Sequence, residues 1–185
     1  MAIVYILLGI VGIAALFAVG IYNGLIRLRN RAEEAWSDIE VQLKRRYDLI
    51  PKVVEAVKGY TGHERETLES VTHARVAAMG AKTAGEHARA ENMLTSTLKT
   101  LFAVSESYPD LKANVNFLDL QRELADTENK IQAARRFYNT NVRDLNIKIE
   151  SVPSNVVAGM FGFSKKEFFD LEDNNPAQEP VKVAF

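Results

Sequence analysis

The chain opens with an uninterrupted apolar stretch and then changes to a periodic mixture of charged and apolar residues. Residues 1–26 contain no Asp, Glu, Lys, Arg or His. The run from Ala2 to Tyr22 is long enough, at about 1.5 Å per residue, to span the roughly 30 Å hydrocarbon layer of a bilayer. A cleaved secretory signal is the alternative, but it requires basic residues before the apolar run, and none precedes it here. The pattern predicts a transmembrane helix over residues 1–26.

Beyond the apolar run, spacings of three and four between apolar positions predict long amphipathic helices. The first stripe runs from Leu28 to Val57, and the transmembrane helix is expected to continue into it because only Gly24 weakens the junction. Pro51 either kinks this helix or reverses the chain. The stripe continues beyond Pro51, which favours a kink.

Three later helices are predicted at about 62–80, 85–107 and 109–149, before Pro153. The motif Ser/Thr-x-x-Glu, in which a hydroxyl and a carboxylate cap the first turn of a helix, begins at three positions. These are Thr61, Thr83 and Ser164. The predicted fold class is all-α: an N-terminal transmembrane helix followed by an elongated antiparallel four-helix-bundle-like domain over residues 27–169. The acidic residues 170–185 are expected to be a disordered tail.

Charge and composition exclude several classes of function. The net charge is −1, which gives no basic field for nucleic acid, and the absence of cysteine excludes disulfides and thiolate sites. His63 begins a partial metallopeptidase motif, but position 67 is Thr, and neither His73 nor His87 has a partner at a useful spacing. No catalytic, cofactor-binding or metal-binding residue is predicted, and the protein is not expected to be an enzyme.

Residues at the end of the apolar run indicate orientation and association. Arg27, Arg29 and Arg31 follow it, whereas no cation precedes it. Because Lys and Arg are enriched on cytoplasmic flanks, the N-terminus is expected outside and the domain in the cytoplasm. Gly20 and Gly24 form a small-xxx-small pair, which permits close approach of two membrane helices.

One carboxylate falls on the apolar stripe of the predicted fourth helix. Glu128 occupies a position where the period from Leu124 to Ile131 predicts burial, and a buried carboxylate needs a partner. Arg135 lies seven residues on along the same face, and arginines of other helices, Arg45, Arg46 and Arg75, are further candidates. The pair is interpreted either as a register-setting ion pair within the bundle or as part of a ligand or partner site.

The C-terminal segment is rich in phenylalanine and glycine. Phe161, Phe163, Phe168 and Phe169 are grouped with Lys165 and Lys166. Two interpretations remain open: the segment folds back on the bundle as a cap, or its phenylalanines insert at the bilayer surface with the lysines among the headgroups.

Four stretches together carry a family resemblance. They contain DLIP (48–51), YPDLKA (108–113), TENKIQAARRFYN (127–139) and PSNVVAGMFGF (153–163). In these motifs the chain closely resembles the LemA family of bacterial proteins, from about Tyr22 to Phe169, although Val152 stands where the family commonly has Phe. The resemblance implies a single-pass protein of the bacterial inner membrane with a helical cytoplasmic domain. It also implies links to membrane biogenesis, through a related magnetosome protein, and to envelope quality control beside membrane metallopeptidases.

The predicted function is that of a membrane-anchored helical scaffold or protein-interaction module at the cytoplasmic face of the inner membrane. The expected partners are membrane lipid and proteins, either further copies of the chain or a membrane metallopeptidase, without nucleic acid and without a cofactor. The alternative is a membrane-shaping module that acts through oligomerisation and the Phe-rich segment. A third class, an enzyme with an undetected site, would require a concave pocket with perturbed titratable groups.

Overall fold

A computed structural model of the chain describes residues 1–60 and 64–169. Within those ranges every regular element is an α-helix, which confirms the predicted all-α class and is consistent with a helical bundle. The helices are α1 (Ala2–Lys58), α2 (Arg65–Met79), α3 (Ala84–Ser105), α4 (Pro109–Lys112), α5 (Val115–Glu150) and α6 (Ser154–Met160).

The first helix is continuous from the apolar run into the charged region. It extends from Ala2 to Lys58 and contains Pro51. The expectation that the helix of the apolar run continues into the first amphipathic stripe is therefore confirmed, and the chain does not reverse at the proline.

The start of α3 has the predicted cap. The Glu86 backbone N donates to Thr83 Oγ1 at 3.2 Å, and the Thr83 backbone N donates to Glu86 Oε2 at 3.3 Å. This reciprocal pair satisfies two amides that the first turn of the helix leaves without partners. The cap predicted at Thr61 lies outside the described residues, and α2 begins at Arg65.

The predicted fourth helix is wrong as a single element, because the chain breaks it between residues 112 and 115. Pro109 begins the one-turn helix α4, and α5 starts anew at Val115. Asn114 explains the restart, since its Oδ1 accepts a hydrogen bond from the Phe117 backbone N at 3.1 Å, as an N-cap side chain does.

The helix start predicted at Ser164 is also wrong. After Gly162, which has φ +69°, residues 163–169 are irregular, and side chains of α5 bind their backbone. Asn146 Nδ2 donates to the Lys166 carbonyl at 2.9 Å, and Asn146 Oδ1 accepts from the Lys166 N at 3.0 Å. Tyr138 donates through its hydroxyl to the Glu167 carbonyl at 2.9 Å. These bonds replace the ones that a helix would have provided.

The chain forms two compact units. The first, named the anchor unit, comprises Met1–Ile39 and Ala134–Phe168, and the second, named the bundle unit, comprises Glu40–Ala133 together with Phe169. A cluster of apolar side chains is buried in the anchor unit: Ile21, Leu25, Leu145, Val157 and Ala158. In the bundle unit α2 packs against α3. The predicted acidic tail, residues 170–185, lies outside the described residues.

Candidate functional site

The apolar start of α1 is exposed over residues 1–17. It is the one helix among the described residues that is long and apolar enough to cross a membrane, and none of its most apolar window is buried inside the protein. Ile3, Leu8 and Leu16 are 74%, 63% and 76% exposed. Exposure of this much apolar surface to water is unfavourable by about 25 cal/mol per Å², so the helix requires an apolar surrounding.

The residues predicted to set orientation and association lie on the surface of α1. Arg27, Arg29 and Arg31 are exposed. A Cβ atom placed on Gly20 or Gly24 would meet no atom within 4 Å. Both glycines are therefore open to a neighbouring helix.

The C-terminal segment folds back beside the end of the apolar run. The Tyr22 ring lies 4.8 Å from that of Phe161 and 5.8 Å from that of Phe163, measured between centroids. The Arg29 guanidinium carbon lies 5.6 Å from the Phe163 centroid, within the range of a cation–π contact. Lys166 Nζ is 3.5 Å from Glu33 Oε1.

The four phenylalanines of this segment differ in exposure. Phe163 packs against the apolar cluster of the anchor unit, and Phe169 is buried. Phe161 and Phe168 are 59% and 41% exposed. The first pair has the burial that a cap requires, and the second pair has the exposure that bilayer insertion requires.

Exposed apolar side chains also lie on α6 and at Val152, two residues before this helix begins. Val152, Val156 and Met160 are 81%, 61% and 77% exposed at a spacing of four residues, while Val157 and Ala158 face the apolar cluster. We name Val152, Val156, Met160 and Phe161 the α6 apolar face. Sequence reasoning missed this face, although the spacing of four could have indicated it. Through Phe161 it lies level with Tyr22, at the end of the apolar run.

The bundle unit contains a buried polar cluster centred on Arg46. Its Nη1 lies 2.9 Å from Glu91 Oε2 and 3.1 Å from Glu128 Oε2, and its Nη2 donates to Thr95 Oγ1 at 2.7 Å. The Tyr47 hydroxyl donates to the other oxygen of Glu91. The Arg46 and Glu91 side chains are 3% and 0% exposed, so this cluster joins α1, α3 and α5 by charge within the bundle unit.

Burial dominates the electrostatics of this cluster. It raises the pKa of Glu91 above the ordinary value, and the Arg46 charge and the Tyr47 hydrogen bond oppose that rise. Burial and the Glu91 charge together raise the pKa of Tyr47. A substrate cannot reach the Glu91 side chain, so the arrangement is suited to holding three helices in register rather than to proton transfer.

The two predicted buried polar residues lie in different surroundings. Glu128 is half-buried, with its side chain 30% exposed, and pairs with Arg46. Arg135 is buried in the anchor unit. Sequence reasoning missed Glu91, the most buried carboxylate, although it lies between Ala88 and Leu94 on the apolar stripe of α3, the same signal that singled out Glu128.

The described histidines do not belong to a cluster of metal-ligating side chains. His63 lies outside the described residues, and within them no group of three or more His, Asp or Glu side chains could hold a metal ion. A groove on the bundle unit, of about 570 Å³, is lined by His73 with residues of α1 and α2.

Comparison with known proteins gives a consistent set of relatives. A sequence model of the LemA family matches residues 35–185. The chain is 32% identical over 151 residues to Protein LemA of Metamycoplasma hominis, covering 80% of this chain and 68% of that protein. It is 22% identical over 174 residues to Magnetosome protein MamQ 2 of Paramagnetospirillum magneticum, covering 80% of this chain. The chain spans 64% of the length of that magnetosome relative.

Proposed function

The chain belongs to the LemA family, and from that premise we propose that it is a membrane-anchored helical scaffold. Its domain lies at the cytoplasmic face of the bacterial inner membrane, with the N-terminus outside. The scaffold binds protein partners, among them further copies of the chain or a membrane metallopeptidase. It acts by binding rather than by catalysis.

The observation that carries this proposal is the continuity of α1. The helix whose first part is apolar and exposed also supplies buried residues to the bundle unit, including Leu43, Ile50 and Val53. No linker separates the anchor from these core positions. A partner that binds the bundle unit is thereby held at the membrane through a single helix.

The surface of the bundle unit supports binding. Val76 and Met79 on α2, and Met93 on α3, are 59%, 54% and 60% exposed. Exposed apolar side chains of this kind are characteristic of interaction surfaces when they are grouped. The buried carboxylate of Glu91, whose pKa burial raises, is enclosed with Arg46, which supports a structural rather than a catalytic use.

Cysteine crosslinking in the membrane tests self-association. The chain has no cysteine, so Val76→Cys and Gly24→Cys each provide a single reactive site, and Asp38→Cys provides a matched exposed control on α1. A crosslinked dimer from Val76→Cys or Gly24→Cys, well above that from Asp38→Cys, supports the scaffold. Equal yields at all three positions, together with a monomeric mass for the full chain in nanodiscs, would reject self-association.

A second candidate function is membrane shaping, and the α6 apolar face favours it. An amphipathic helix with exposed apolar residues beside a membrane helix is able to enter the headgroup layer. Here the lysines of the adjoining segment, Lys165 and Lys166, are partly exposed and suited to that layer.

Depth measurement tests this second function. A spin label on Met160→Cys in the full chain is expected to sit within the acyl or headgroup region of a nanodisc, whereas a label on Val76→Cys is expected in water. Purified full chain is then expected to deform liposomes, and Val156→Ser with Met160→Ser is expected to abolish the deformation. A water-exposed label at position 160 would exclude this function while leaving the scaffold intact.

A further inference from the structure

A groove in the anchor unit runs from the apolar run toward the charged region. Its volume is about 350 Å³, at the lower end of the range for small-molecule sites. Phe17, Ile21 and Leu28 of α1 line one wall, and Ile147 and Lys148 of α5 line the other. Residues 151–154, which connect α5 to α6, complete the lining.

The length of the groove matches one leaflet of a bilayer. From Phe17 to Leu28 the axis of α1 rises about 16 Å at 1.5 Å per residue, and half of a 30 Å hydrocarbon layer is about 15 Å. The apolar end belongs to the predicted span, and the polar end lies beside the arginines that follow it. A molecule in this groove would therefore meet hydrocarbon at one end and the headgroup layer at the other.

The lining of the groove includes one half-buried cation. That cation, Lys148, forms no ion pair among the described residues. Asp144, one turn earlier, also lines the groove, but its Oδ1 lies 3.6 Å from Arg143 Nε, which offsets its charge. The nearby hydroxyls are already engaged, because Ser151 donates to the Ile147 carbonyl and Ser154 to the Lys148 carbonyl.

We infer that this groove holds one anionic phospholipid, with an acyl chain along Phe17 and Ile21 and the phosphate group beside Lys148. A soluble anion would not need the apolar wall, and an apolar peptide would leave Lys148 without a counterion. A phospholipid satisfies both ends. This inference rests on the proposed membrane anchoring of α1. It adds to that proposal the class of lipid that binds and the groove in which it binds.

Spin-labelled lipids in bilayers that contain the full chain provide the test. The association of labelled phosphatidylglycerol with the protein is compared with that of labelled phosphatidylcholine. The wild-type chain is expected to prefer phosphatidylglycerol. Lys148→Gln is expected to lower that preference about fivefold, as for loss of one cation near an anionic headgroup.

Two further variants separate the site from general surface charge. Lys165→Gln removes an exposed cation of the same unit that pairs with Glu150 rather than lining the groove, and it is expected to keep the preference. Ile147→Trp fills the groove while leaving every charge, and it is expected to lose the preference. Far-UV circular dichroism confirms that each variant retains its helix content.

The outcomes are separable. Equal association of both lipids with the wild-type chain, an equal loss in Lys148→Gln and Lys165→Gln, or an unchanged preference in Ile147→Trp would each overturn the site. Failure of the wild-type chain to enter bilayers at all would instead overturn the anchoring on which the inference rests.

Discussion

The anchor unit and the bundle unit hold their helices together by different chemistry. In the bundle unit, α1, α3 and α5 meet at a buried charge network, in which Arg46 binds both Glu91 and Glu128. In the anchor unit, the C-terminal segment meets α1 through apolar and aromatic contacts such as Tyr22 with Phe161. Hydrogen bonds from Asn146 then fix one position of that segment.

Each unit specifies its arrangement of helices in a different way. A buried ion pair is favourable only when its partners are aligned, so it selects one register of the helices at a cost in desolvation. Apolar contacts are less directional, so the anchor unit depends on a few backbone hydrogen bonds to choose among similar packings.

Removal of the central arginine should give the largest effect. Arg46→Leu leaves Glu91 buried without its cation, and we expect a loss of about 3–5 kcal/mol in the free energy of unfolding. Thermal unfolding of the full chain in detergent, followed by circular dichroism, measures this change.

The neighbouring arginine is the matched control. Arg45 has the same side chain, is 40% exposed and pairs with Glu123 and Asp126, so Arg45→Leu is expected to cost about 0–1 kcal/mol. Similar losses of stability in Arg46→Leu and Arg45→Leu would show that the buried charge network stabilises the bundle unit no more than an exposed ion pair does.

Loss of the Asn146 side chain should give a smaller effect, confined to the anchor unit. Asn146→Ala removes two hydrogen bonds to Lys166, worth together about 1–3 kcal/mol. The segment is then expected to open, and limited trypsin digestion after Lys165 and Lys166 should accelerate. Asn30→Ala, at an exposed position of α1, is the control. An unchanged digestion rate in Asn146→Ala would mean that the apolar contacts alone hold the segment.

Most of the fold could be predicted because its helices carry regular apolar stripes. Continuity through Pro51 follows from the stripe, and the cap at Thr83 follows from a local motif. The motif at Ser164 failed because Asn146 and Tyr138 compete for the same backbone, a tertiary effect that local sequence does not contain. The restart at Val115 follows from the cap that the Asn114 side chain provides. Asn114 is visible in the sequence, but the pattern of apolar positions does not mark it as a helix start.

The candidate sites were less predictable, because they depend on which distant residues meet. The sequence identified the phenylalanines of the C-terminal segment as candidate contact residues. Only the structure, in which the segment folds back beside Tyr22, shows which of them are packed and which are exposed. Lys148 is unremarkable in sequence and becomes a candidate only where α5 passes the apolar run. Glu91 could have been found, since its position on a buried stripe is visible without a structure.

The stability of the bundle unit is expected to depend on pH through Glu91. Because burial raises its pKa in the folded protein above the ordinary 4.5, the folded state binds the proton more tightly. The contribution of Glu91 to stability is therefore full below about pH 4.5 and declines as the pH rises through the folded-state pKa.

Melting temperatures from pH 4 to 8 provide the measurement. The melting temperature of wild type relative to that of Glu91→Gln is expected to be highest at the acidic end and to fall as the pH rises. Glu123→Gln serves as the exposed control. A wild-type advantage that grows with rising pH would contradict the assigned direction.

The topology of the chain in the membrane decides whether it is a membrane-anchored cytoplasmic scaffold. In the cysteine-free chain, Ala2→Cys and Val76→Cys are probed separately with a membrane-impermeant maleimide in bacterial spheroplasts. We predict that position 2 is labelled in intact spheroplasts and that position 76 is labelled only after they are opened. Labelling of position 76 from outside would contradict the account.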